Sequence, residues 1–143
     1  MKIHSKLLMT IIKSQLLSII YALISRIKID LITAYTYMFK DIIVLSLSLI
    51  LFTAFCIITS IIFLNKSIIN VFLISITYII YWRIFLSISF IHTSNPNDYG
   101  VGILGLSLEV IWGLFDYFIV ILSSVIAVSI HINRIDKVTR LPR

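Results

Sequence analysis

One cysteine, two prolines, four glycines and three histidines occur among 143 residues, and each shortage closes a route to function. Cys56 has no partner for an internal disulfide and no companions for a thiolate metal site. The four glycines build no phosphate-cradling loop, and neither a nucleophile elbow nor a zinc motif is present. His4, His92 and His131 stand at the chain start and at the ends of different apolar runs. His92 and His131 are expected on opposite membrane faces, where they could not bracket one haem. No metal and no cofactor is expected.

Charge is scarce as well. Charged residues make up 13% of the chain and hydrophobic ones 60%, for a mean hydropathy of +1.11. A typical soluble domain is ~45–50% apolar and ~25% charged. A small water-soluble protein could not hide so much apolar surface, so lipid is the expected solvent. A separate soluble catalytic domain is not expected within this length. The net charge of +6 could suggest nucleic acid, but the basic residues flank apolar runs instead of forming one face. That placement points to membrane orientation, not to a nucleic-acid partner. Abundant isoleucine and serine with little glycine or proline suggest an AT-rich gene from a low-GC bacterium, a mobile element or an organelle.

What is present is a series of long apolar runs. Residues 42–64 carry no charge and no proline, enough to cross the ~30 Å hydrocarbon layer as a helix. Similar runs cover 68–91 and 103–130. The expected fold is a single all-α, polytopic helical membrane domain. It has three transmembrane helices plus a fourth, or an interfacial amphipathic, helix at 7–27.

On a helix, that N-terminal segment puts Leu8, Ile12, Leu16, Ile19, Leu23 and Ile27 on one side. Lys2, Lys6, Thr10, Lys13, Ser14, Ser18, Tyr21 and Ser25 fall on the other. It could lie flat in the interface or span with its polar face toward partner helices. It carries Lys13 and lacks a small-residue cleavage site, so it does not read as a cleaved signal peptide. Residues 26–41, with Tyr35 and Tyr37, read as an interfacial connector. The short polar turn Asn65-Lys66-Ser67 predicts an antiparallel hairpin of the two helices it joins. The turn-rich segment 92–100 ends the next helix.

Four crossings with both termini cytoplasmic put Lys2, Lys6, Lys66 and the basic tail Arg134, Lys137, Arg140 and Arg143 inside. Only Arg26, Lys28 and Lys40 then fall outside. The positive-inside bias favours this over three crossings. A bacterial inner membrane is the expected location, with an organelle-encoded subunit as the alternative. The tail reads first as a topology signal, and second as a contact for anionic lipid.

Three charges fall inside the apolar runs: Arg83, Glu109 and Asp116. Such residues are costly in lipid and are candidates for a functional role. Arg83 and Glu109 lie equally far from Pro96, so a hairpin centred there would bring them together as a clasp. Asp116 lies deeper, near Ser75, Thr77 and Tyr78, with no basic residue at its level on the neighbouring helix. Without a counter-charge it is expected to rest neutral. Gly102, Gly105, Glu109, Gly113 and Asp116 share one helix face. Ser46, Thr53, Cys56 and Ser60 form a comparable stripe on the 42–64 helix. Both stripes suit close helix packing.

No second catalytic group stands beside Asp116 or Glu109, so no enzymatic activity is expected. The expected function is contact with another membrane protein, as an accessory subunit or an immunity or exclusion protein. The alternative is a self-associated proton- or ion-coupled channel, transporter or holin-like pore that uses Asp116.

Overall fold

A computed structural model describes residues 2–35, 41–87 and 101–139, with side chains over 7–32, 43–87 and 110–134. These residues form four helices and no strand: α1 (Lys2–Tyr35), α2 (Asp41–Phe63), α3 (Ile69–Leu86) and α4 (Val101–Thr139). Each contains a stretch long and apolar enough to cross a membrane: Leu7–Ile32, Ile43–Phe63, Ile69–Leu86 and Val110–Arg134. The N-terminal segment is therefore a full-length helix, one turn or more beyond its expected end at residue 27.

The helix α1 is amphipathic with its polar side inward. Thr10, Ser14, Ser18, Tyr21 and Ser25 are buried, whereas Leu8, Ile12, Leu16 and Ile27 are exposed. In water this arrangement would expose the wrong face. In lipid it is the favourable one, because hydroxyls shed from water need partners that lipid cannot provide. Isoleucines and phenylalanines cover the other outer faces, among them Ile43, Ile50, Ile62, Phe72, Ile76 and Phe118.

Two expectations about connections change. Residues 26–32 are not an interfacial connector: Arg26, Lys28, Ile29, Asp30 and Ile32 are buried within the last turns of α1. The partners α2 and α3 do not pack as a hairpin either. Among the described residues α1 packs chiefly on α3 and α4 on α2, while α2 and α3 occupy opposite corners. The physical reason lies in the α1–α3 seam. Ser14 donates to Asn70 at 2.9 Å, Thr77 to Ser18 at 2.7 Å and Tyr81 to Gln15 at 2.8 Å. Asn70 also donates to the Asn65 carbonyl just beyond α2, which fastens the short connection toward α1.

The seams fix direction. Ser14–Asn70 and Ser18–Thr77 rise together along α1 and α3, and Tyr78–Tyr117 and Trp82–Gly113 set α3 antiparallel to α4. Tyr21 meets Cys56 to Ser60 while Lys28 meets Phe52, so α1 and α2 are antiparallel. His131 donates from Nε2 to the Ile61 carbonyl at 3.0 Å, joining the far ends of α4 and α2. The helices thus alternate in direction, and the start of α1 lies at the same end of the bundle as the end of α4.

Candidate functional site

The buried polar groups converge on Asp116. Its side chain is completely buried, with 0% of its surface exposed. Lys28 of α1 donates from its ammonium to Oδ1, and Ser25 donates to Oδ2 at 2.5 Å. The Lys28 ammonium also stands 4.7 Å from the centre of the Phe52 ring, a cation–π contact with α2. Tyr78 of α3 lies at the same level, stacked on Tyr117 with ring centres 6.0 Å apart. Its hydroxyl and the indole nitrogen of Trp82 are buried without a hydrogen-bond partner among the described residues. One ion pair therefore joins the first and last helices, with residues of the other two beside it.

Asp116 is thus not a lone carboxyl. The expected lack of a counter-charge is corrected: no base comes from α3, but a cation comes from α1, which continues through Lys28 instead of ending at residue 27. A signal for Lys28 existed. Ser14, Ser18, Tyr21, Ser25 and Lys28 advance by three or four residues, the spacing of one helix face. A second pair, Arg26–Asp30 at 2.8 Å, closes on α1 itself.

Arg83 and Glu109 stand apart from this centre. Arg83 is exposed in the last turn of α3. The register that sets Trp82 against Gly113 puts Glu109 about one turn beyond it. The side chain of Glu109, and with it the expected clasp, lies outside the described residues. Gly113 is buried beneath Trp82, where any added Cβ would overlap the indole ring. The surroundings of Gly102 and Gly105 also lie outside the described residues. On α2, Cys56 and Ser60 are fully buried against Tyr21, Thr53 is half-buried and bonded to the Leu49 carbonyl, and Ser46 is exposed. Of the basic tail, Arg134 is exposed, and the side chains of Lys137, Arg140 and Arg143 lie outside the described residues.

Sequence reasoning missed the hub at Tyr21. Its hydroxyl lies 2.7 Å from Thr59 Oγ1, 2.9 Å from Ser60 Oγ and 3.2 Å from the Cys56 carbonyl. Phe55 meets the same ring edge-on. Among the described residues, no cluster of three or more His, Cys, Asp or Glu side chains could hold a metal ion. Comparison with family models, curated proteins and solved structures gives no match to this chain.

Proposed function

We propose that this chain is a multi-pass membrane protein that works by helix contact with another membrane protein, as an accessory subunit or an immunity or exclusion protein. The reading places it in a bacterial inner membrane with both termini cytoplasmic. The observation that supports it best is the burial and pairing of Asp116. A carboxyl held by Lys28 and Ser25, with no exposed surface, locks helix register and leaves the outer faces as the surface available for work. Those faces are apolar and suit contact within the bilayer.

A second reading, an oligomeric ion-coupled channel or transporter, draws support from the Tyr78 hydroxyl beside the pair, which has no hydrogen-bond partner among the described residues. Hydroxyls also run along α1 from Thr10 to Ser25. Proteoliposomes loaded with a pH-sensitive dye separate the two. Under the contact reading, the purified chain adds no proton flux over empty vesicles. Flux that Asp116→Asn abolishes would establish the second reading instead.

A further inference from the structure

A lateral groove of about 940 Å³ opens between the C-terminal half of α1 and the first half of α2. Its size lies within the ~300–1,000 Å³ of small-molecule sites, which are mostly apolar with a few placed polar groups. Close-packed interiors do not leave voids of this size. Ile27, Leu31, Val44, Leu51 and Phe55 line it, and Lys28 is its single charged residue. The lining on α1 spans residues 24–32, about 12 Å along the helix axis.

Lys28 decides what the groove accepts. Its ammonium has three donors. Asp116 takes one, and the Phe52 ring faces the cation from α2. Asp116 is wholly enclosed and is not part of the lining, whereas Lys28 is, so the cation is the nearer charge to the groove. An occupant therefore needs a long apolar body and an acceptor or anion near Lys28. A partner helix is a poor fit. With side chains it is about 10–12 Å across, and seating it would part α1 from α2 where Lys28 meets Phe52.

We infer that the groove is a binding site for an anionic phospholipid, with an acyl chain along the apolar walls and its anionic headgroup at Lys28. This goes beyond the protein-contact reading and does not depend on it. The test uses the full chain in dodecyl maltoside, titrated with phosphatidylglycerol or phosphatidylcholine of identical chains and read by native mass spectrometry. Both lipids offer Lys28 the same phosphate, but the choline cation cancels the charge of phosphatidylcholine and repels the ammonium, so phosphatidylglycerol is expected to bind several-fold more tightly. Ser48→Trp, which puts an indole into the groove between its two walls, should weaken retention of both lipids. The double variant Lys28→Met/Asp116→Leu should retain lipid but lose the preference. Equal retention of the two lipids by the parent chain, or undiminished retention in Ser48→Trp, overturns the proposal. A photo-crosslinking residue at Leu51 in intact membranes provides a readout independent of variant folding. A lipid adduct supports the site, whereas an adduct to protein, whether a second copy or another chain, overturns it.

Discussion

Lys28 of α1 and Asp116 of α4 form an ion pair across 88 residues of sequence, with Asp116 fully enclosed and Lys28 nearly so. Removing one partner strands the other, which costs about 3–5 kcal/mol in buried pairs, while replacing both with apolar residues is often neutral. Asp116→Leu and Lys28→Met should each destabilise the bundle by roughly that much. The double variant should come back close to the parent in unfolding measured in detergent. Additive losses would show that the two charges act independently.

Arg83 supplies the contrast. It is exposed on the last turn of α3, where a long side chain can reach the interface. Arg83→Met is expected to change accumulation in the membrane little, whereas Lys28→Met lowers it several-fold. A loss at Arg83 equal to that at Lys28, reversed by exchanging Arg83 with Glu109, would restore the clasp that residue spacing alone suggests.

Gly113 is tightly constrained by the indole above it. Gly113→Ala should cost about 1–3 kcal/mol through overpacking. Trp82→Leu should relieve most of that penalty in the same background, so a double-mutant cycle tests the contact directly. If the two changes simply add, Trp82 does not pack on Gly113.

Tyr21→Phe removes the hydroxyl that α1 presents to Thr59 and Ser60. Interhelical hydrogen bonds in membranes average only about 0.6 kcal/mol, since loosened helices find other partners. A loss of about 1 kcal/mol is expected, with the fold retained. Total loss of folded protein would mean the hydroxyl network is far more cooperative than its separate bonds.

Alternating helix directions put the start of α1 and the end of α4 at one end of the bundle. Reporter fusions at the two termini should therefore show the same compartment, and an insertion at Lys66 should agree with them. A reporter within 36–40 should show the opposite side. Disagreement between the termini would rule out four crossings.

The helical class and the approximate spans of α2, α3 and α4 were legible in apolar length, unbroken in α2 and carrying only Arg83, Glu109 and Asp116 in the other two. The N-terminal helix was harder. Its two faces are equally readable, but Ser14 or Tyr21 on a polar face looks the same whether that face meets water or other helices. The end of α1 was hidden because Arg26, Lys28 and Asp30 resemble a solvated connector, and pairing is what permits their burial. Asp116 stood out from residue type and depth, but its partner did not. A local reading of hairpins compares neighbours, and Lys28 is three helices away in the chain. The diagonal placement of α2 and α3 was equally hidden, since the length of a connection constrains its span and not the choice of packing partner.

The ion pair also sets an order of assembly. At roughly 5–20 residues per second, the ribosome needs roughly 4–18 s to reach Asp116 after Lys28, 88 positions earlier. Throughout that interval the first helix holds a cation with no counterion from the last. Its charge stays uncompensated by Asp116 until α4 arrives. Closure of this bundle therefore waits for α4, and until then Lys28 lacks the carboxyl that pairs with it.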